Sequence, residues 1–237
     1  MSDGICLERM RADLHVHTTY SDGRDPPDLV VEAAEAGGLD LLAITDHGPA
    51  LHVGMAEPVI PRYLSAISEL KDSTTGVRLL AGIEANIINE SGEIDIEERI
   101  REKLDILVVG IHRLQRVADP RQMALSYLNS LVRTVERRRV DIIAHPFQFH
   151  GDLSRFLERE EIAQLLEAAA RRGTAIEINE KYKAPGEDFY RMCLERGVKL
   201  SLGSDAHSAN SVGKFSWAEG VLRKIGASKS DLFFESI

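Results

Sequence analysis

Six of the eight histidines in this chain close short apolar runs. His15 and His17 end RADLHVH, His47 ends LLAITDH, His112 ends DILVVGIH and His145 ends VDIIAH. Glu84 closes RLLAGIE in the same way. The run VKLSLGSDAH carries Asp205 and His207, and Asp22 follows the first run in the turn YSDG. Imidazoles and carboxylates together suit Zn, Mn or Fe better than Ca. In a strand, residues i and i+2 face the same side, so His15 and His17 aim two rings at one point while Val16 faces away. Two adjacent buried imidazoles without partners are costly. HxH followed by SDG, TDH, a run-ending Glu, two run-ending His and SDAH therefore reads as a multi-metal site rather than as core polar residues. Such ions neutralise an anionic substrate and lower the pKa of bound water.

The elements that must position these groups alternate. Strand-like runs, apolar on consecutive residues as in a parallel sheet buried on both faces, fall near 11–17, 39–46, 78–85, 105–111, 140–145, 174–179 and 198–203. Helical spacing lies between them. PPDLVVEAAEAG opens on prolines and stops at Gly37, as a helix with proline in its first turn and glycine past its end does. PRYLSAISELK, DPRQMALSYLNSLVRTVERRR, EEIAQLLEAAARRG, GEDFYRMCLERG and WAEGVLRKIG show the same spacing, and SKSDLFFESI begins with a capping pattern, Ser228 to Asp231. Repeated βα units build an open doubly wound sheet or a closed barrel. An open sheet would spread the ligand-bearing strand ends along a wide edge. A barrel gathers them at one mouth, so the α/β barrel is expected, with seven strands and GPALHVGMAEPVIP as a loop over the mouth. No linker, repeat or low-complexity stretch divides the chain, and residues 1–237 read as one domain.

The motifs DLHVHTTYSDG, ITDHG, GIE, GIH, AHPF, EIN and GSDAH resemble those of the PHP family, named for polymerases and histidinol phosphatases, in the family's order from Asp13 to His207. The resemblance implies a distorted seven-stranded, TIM-like (β/α)7 barrel with a trinuclear metal centre and phosphoesterase activity. It places His15, His17, Glu84 and Asp205 around one divalent ion. Glu84, His112 and His145 surround a second, with Glu84 bridging, and Asp22, His47 and His207 a third. Several family members have a histidine where this chain offers Asp22. The metals are expected to be Zn, Mn or Fe. The reaction implied is attack on phosphorus by a hydroxide activated at the three ions, with Glu84, Asp205 and His207 central to it. Asp13 and Asp46 flank ligating histidines and are candidates to orient them. Arg113, Lys181 and Lys183 are candidates to contact the substrate phosphate. Against this, an isolated Arg or Lys is more often plain surface charge. His52 and His150 read as solvated loop residues, and Glu177 and Asn179 as structural pairing or ligand contacts.

Composition narrows the function further. The formal net charge is −9, and a nucleic-acid binder usually carries a basic face. The one basic run, RTVERRR, lies on a helix and reads as solvated surface. A small phosphate monoester is therefore the expected substrate, histidinol phosphate and nucleotide phosphates being examples the family suggests. Nuclease or DNA-end processing, as in PHP domains attached to polymerases, is the alternative, followed by a non-catalytic metal-stabilised scaffold. The N-terminus shows no secretory pattern, and no run approaches the roughly 20 apolar residues of a membrane span. Cys6 and Cys193 form no CxxC pair, which fits a reduced cytoplasmic setting.

Overall fold

The structure, a computed structural model, describes residues 11–114 and 117–236. Cys6 lies outside the described residues. Seven parallel strands pair in sequence order. They are β1 (Ala12–Val16), β2 (Leu41–Ile44), β3 (Arg78–Asn86), β4 (Ile106–Gly110), β5 (Ile142–Ile143), β6 (Ala175–Asn179) and β7 (Leu200–Gly203). The helices are α1 (Pro27–Ala36), α2 (Ile60–Ser73), α3 (Glu98–Arg101), α4 (Pro120–Arg137), α5 (Arg159–Arg172), α6 (Glu187–Glu195) and α7 (Ser216–Ile225).

The first and last strands nearly close the barrel, and they meet at its mouth. The Asp205 N–H donates to His15 O at 2.9 Å, and the His17 N–H to Ala206 O at 2.9 Å. The buried Asp13 carboxylate clamps the same seam, accepting from the Ser204 N–H at 3.0 Å, the Ser204 hydroxyl at 2.5 Å and the Gly213 N–H at 2.9 Å.

Strand alternation then delivers the polar groups. Leu41 and Ala43, Ile106 and Val108, and Ile142 and Ala144 are i, i+2 pairs in one small apolar cluster with Leu80, Ala175 and Phe233. Successive strands supplying alternate residues to one cluster is how a barrel interior is filled. Two residues further along the same faces come Thr45, Gly82, Gly110 and Glu177, and two further again His47, Glu84, His112 and Asn179. On three of these four strands the interior thus changes from apolar (Ala43, Leu80, Val108) to small (Thr45, Gly82, Gly110) to the candidate metal ligands His47, Glu84 and His112 within five residues. The larger apolar cluster packs the helices around the outside.

Helix limits follow local chemistry. Asp119 caps α4 by accepting the Arg121 N–H, with Pro120 at the first helical position. A reciprocal Glu158–Glu161 box opens α5, and Gly173 closes it at φ 69°. Two expectations differ from the structure, and one short helix has no counterpart in the sequence reading. The expected strand over 140–145 is regular only at Ile142–Ile143; the Asp141 and Ala144 N–H groups still donate to Leu107 O at 3.0 Å and Val109 O at 2.9 Å, and His145 turns left-handed (φ 62°) and leaves the ladder. SKSDLFFESI forms two 3₁₀ turns; its Ser228–Asp231 box is present but starts no α-helix. The short α3 had no periodic signal because four residues are too few to show a period. RTVERRR is helical up to Arg137, with Thr134 and Val135 buried, and its Arg133 and Arg137 guanidiniums donate to the Glu90 and Ser91 carbonyls at 2.8 Å.

Candidate metal centre

The nine residues singled out as ligands come together at the barrel mouth, in four overlapping groups whose donor atoms lie within 4.8 Å of one another. Glu84, fully buried on β3, sits at the middle. Its Oε1 lies 3.2 Å from His112 Nε2 and 2.8 Å from His145 Nε2. Its Oε2 lies 3.2 Å from His15 Nε2 and 2.8 Å from His47 Nδ1. Asp205 Oδ1 faces His17 Nε2 at 3.5 Å, and the two rings of HVH meet Nε2 to Nε2 at 3.0 Å. On the open side, Asp22 Oδ2 lies 3.3 Å from His207 Nε2 and 3.8 Å from His47 Nε2. Asp22 and His207 are the more exposed members, with side chains 28% and 26% accessible. The groupings differ from the family partition in three ways: His17 joins Asp22, His47 and His207, His47 joins Glu84 and His112, and His15 joins Glu84 and His145, so His112 and His145 fall in separate groups.

The donor set fits a metal on its own evidence. His17 Nδ1, His47 Nδ1, His145 Nδ1 and Glu84 Oε2 are buried without a hydrogen-bond partner among the described residues. His47 Nδ1 and Glu84 Oε2 are 2.8 Å apart, yet their orientation makes no hydrogen bond. Buried polar atoms left this way each cost about 1–3 kcal/mol, and a cation beside Glu84 Oε2 and His47 Nδ1 would satisfy that pair, whereas His145 turns its Nε2 and not its Nδ1 to Glu84. The backbone is also held against preference here, since His145 and Asp205 have φ of 62° and 52°, a left-handed region that non-glycine residues rarely adopt.

Close approach explains two glycines. A Cβ on Gly110 would stand 2.7 Å from Glu84 Oε1 and 2.8 Å from His112 Cε1. One on Gly203 would stand 1.8 Å from Glu177 Oε1. Larger residues there would occupy the space of the ligands themselves.

The groups that orient the imidazoles are largely not those expected. Neither Asp13 nor Asp46 hydrogen-bonds a ring among the described residues. Asp13 holds the seam. Asp46 accepts from the Thr18 N–H (2.8 Å), the Thr18 hydroxyl (2.7 Å), the Ser21 N–H (3.0 Å) and the Ser21 hydroxyl (2.6 Å), which shapes the turn that presents Asp22. Glu177 bonds His15 Nδ1 at 2.8 Å and takes a bond from Asn179 at 3.0 Å. Asn86 Oδ1 faces His112 Nδ1 at 2.7 Å, and its amide donates to Asp95 Oδ2 at 2.6 Å. Sequence reasoning missed the Asp95–Asn86–His112 relay. Asn86 does have a legible signal, lying two residues past Glu84 on the same strand face; Asp95 has none.

Electrostatics follow from this packing. Burial opposes charge on Glu84, but the surrounding His112, His47, His15 and His145 outweigh it and hold the carboxyl well below its usual range. Burial would lower His15, yet Glu177, Glu84 and Asp205 together raise it well above the ordinary imidazole value. His17 goes the other way, pushed down to about 3 by burial, with Asp205 only partly compensating.

Of the expected phosphate contacts, only Lys181 reaches the cluster, with Nζ 3.0 Å from Asp205 Oδ1. Burial would lower Lys181, but Asp205 holds it above the usual lysine value. Arg113 does not reach the cluster; it is exposed and lines a separate hollow with Ile88, Glu90 and Ser130. Lys183 is exposed at the rim, its Nζ 3.9 Å from Glu180. His52 and His150 are exposed and join no ligand group. No helix among the described residues is long and apolar enough to cross a membrane.

Comparison with known proteins agrees with this geometry. The PHP domain matches residues 13–181. A probable phosphatase of Caldanaerobacter subterraneus subsp. tengcongensis is 34% identical over 227 residues, covering 92% of this chain and 84% of that protein. A probable phosphatase of Edwardsiella ictaluri is also 34% identical, covering 90% and 85%. Among solved structures, a histidinol phosphate phosphatase from Lactococcus lactis subsp. lactis, complexed with zinc, L-histidinol and phosphate, superposes with a TM-score of 0.70 at 19% identity, covering 92% of this chain and 94% of that one. A putative histidinol phosphatase from Listeria monocytogenes gives 0.73 at 19% identity, covering 88% and 99%. At such identities these two structures establish a shared fold.

Proposed function

This chain belongs to the PHP family of metal-dependent phosphoesterases, and from that premise we propose that it hydrolyses a small phosphate monoester at a centre of three divalent ions held by His15, His17, Asp22, His47, Glu84, His112, His145, Asp205 and His207. The observation that carries the reading is Glu84, whose two oxygens each face two imidazoles. A carboxylate so placed could be shared by two cations. The mixed imidazole and carboxylate donors favour Zn, Mn or Fe. When bound, such ions supply Lewis acidity and lower the pKa of coordinated water.

The chain's own residues do the rest. Glu177 and Asn86 fix which nitrogens of His15 and His112 face the centre, because each occupies the opposite ring nitrogen. Lys181, kept charged beside Asp205, is placed to pair with a phosphoryl oxygen at the cluster's edge. The Tyr182 ring stands against His145, centroids 5.4 Å apart, and shields that ligand from solvent. Substrate enters from the side of Asp22 and His207, where the cluster is open.

The test is turnover by metal-defined protein on histidinol phosphate, nucleotide monophosphates, a phosphodiester and a short single-stranded DNA. Monoesters should be hydrolysed fastest. If the single strand is cleaved faster than every monoester at moderate salt, a nuclease replaces this reading.

A further inference from the structure

Beside the metal-ligating cluster lies a cleft of about 610 Å³ whose charged lining is mostly cationic: Arg24, Lys181, Lys183 and Lys214 against Glu180 and Asp205. Both carboxylates are already engaged. Asp205 belongs to the cluster and takes Lys181. Glu180 accepts the N–H groups of Trp217 at 3.0 Å and Ala218 at 2.9 Å, so its charge is matched by the first turn of α7. Arg24 and Lys214 form no ion pair among the described residues, and Lys183 reaches Glu180 only at 3.9 Å. This arrangement runs against composition, for the chain has 29 basic residues to 38 acidic ones. Arg24 and Lys214, gathered beside Lys181 and Lys183 without ion-pair partners of their own among the described residues, set up a local field that attracts anions. The cleft is also continuous with the centre: it shares Asp205 and His207 with it, and the Arg24 N–H donates to His207 O at 2.9 Å.

We propose that this cleft receives a second anionic group of the substrate. The compound hydrolysed is then a small phosphomonoester that also carries another phosphate or a carboxylate, an inference that rests on the phosphoesterase reading above. The scissile phosphoryl sits at the ligand cluster beside Lys181. Arg24, Lys183 and Lys214 surround the distal anion, where charge-assisted hydrogen bonds select for it.

Phosphonates test this without relying on turnover, because their carbon–phosphorus bond is not hydrolysed. Binding to the metal-loaded chain is measured by calorimetry for propylphosphonate, 3-phosphonopropionate, and the propane- and pentane-linked bisphosphonates. At least one bis-anion should bind about tenfold or more tightly than propylphosphonate, and the ratio should fall toward one in the double variant Arg24→Gln, Lys214→Gln. A preference confined to bisphosphonates identifies a second phosphate, and one that includes 3-phosphonopropionate identifies a carboxylate. Equal binding of all four compounds, or a preference that survives in the double variant, overturns the proposal. Tight, variant-sensitive binding of bis-anions by a chain that hydrolyses no monoester keeps the cleft and removes the phosphoesterase reading.

Discussion

Glu84 and Glu177 are both buried carboxylates among imidazoles, and they make opposite predictions. Glu84 faces four rings, so on the proposed three-ion reading Glu84→Gln would remove negative charge from between cations and weaken neighbouring sites together. Metal content should fall by more than one ion per chain, and turnover by at least about a hundredfold. His207→Ala, at the open edge, should lose less of both. A Glu84→Gln protein with full metal content and near-normal rate would rule out the bridge. Glu177 touches one ring, through His15 Nδ1. Glu177→Gln should weaken metal affinity about 10–100-fold, with turnover recovering as metal is raised; loss that no metal concentration restores would refute the orienting role. The sequence showed the ligands more clearly than their supports for a physical reason. Most of the proposed ligands sit at or just past strand ends, which leaves a pattern. A support such as Asp95 needs only to reach from wherever the chain passes, and a loop position leaves none.

At the scale of elements, the layer beneath the ligands demands small residues. Gly110→Ala would put a methyl group 2.7 Å from Glu84 Oε1 in a strand with no room to shift, an overpacking that costs about 1–3 kcal/mol. Melting temperature and metal occupancy should drop together. Gly220, within α7, has nothing within 4 Å of an added Cβ, so Gly220→Ala should instead stabilise by about 0.5–1 kcal/mol. Equal effects of the two substitutions, read by thermal melts, would show that the glycine layer is not a steric requirement. The alternation of strand and helix was legible because both periods persist over many residues. The early end of β5 was not, since apolar content continues to Ala144 while the backbone turns at His145. The 3₁₀ turns after Ser228 escaped for a related reason: a capping box marks where a helix can start and sets neither its length nor its type.

At the scale of the whole molecule, the ligand cluster couples metal, protons and folding. Burial would lower His15, His47 and His145, but neighbouring carboxylates, Glu177 and Glu84 for His15 and Glu84 for the other two, raise all three above 6.5. A cation must displace those protons. Metal uptake near neutral pH should therefore release protons, and affinity should rise with pH between about 6 and 8. In the metal-free chain the sign reverses for folding: the protonated rings stabilise it below 6.5, and that contribution is lost as pH rises through their raised values. The melting-temperature gain on adding metal should thus be larger at pH 8 than at pH 6. Calorimetry in buffers of different ionisation enthalpy checks the proton count, and a pH-independent affinity would sink the argument. The seam between β1 and β7 adds a consequence in time. His17 and Ala206 are joined there, and the donors Asp205 and His207 arrive 190 residues after His15 and His17. At about 5–20 residues added per second, the HVH pair waits roughly ten seconds or longer for Asp205 and His207, while His47, Glu84, His112 and His145 follow it sooner. The groups His47–Glu84–His112 and His15–Glu84–His145 are complete in sequence before the two that need Asp205 or His207, so the donor sets are laid down in order and the seam that joins β1 to β7 completes them.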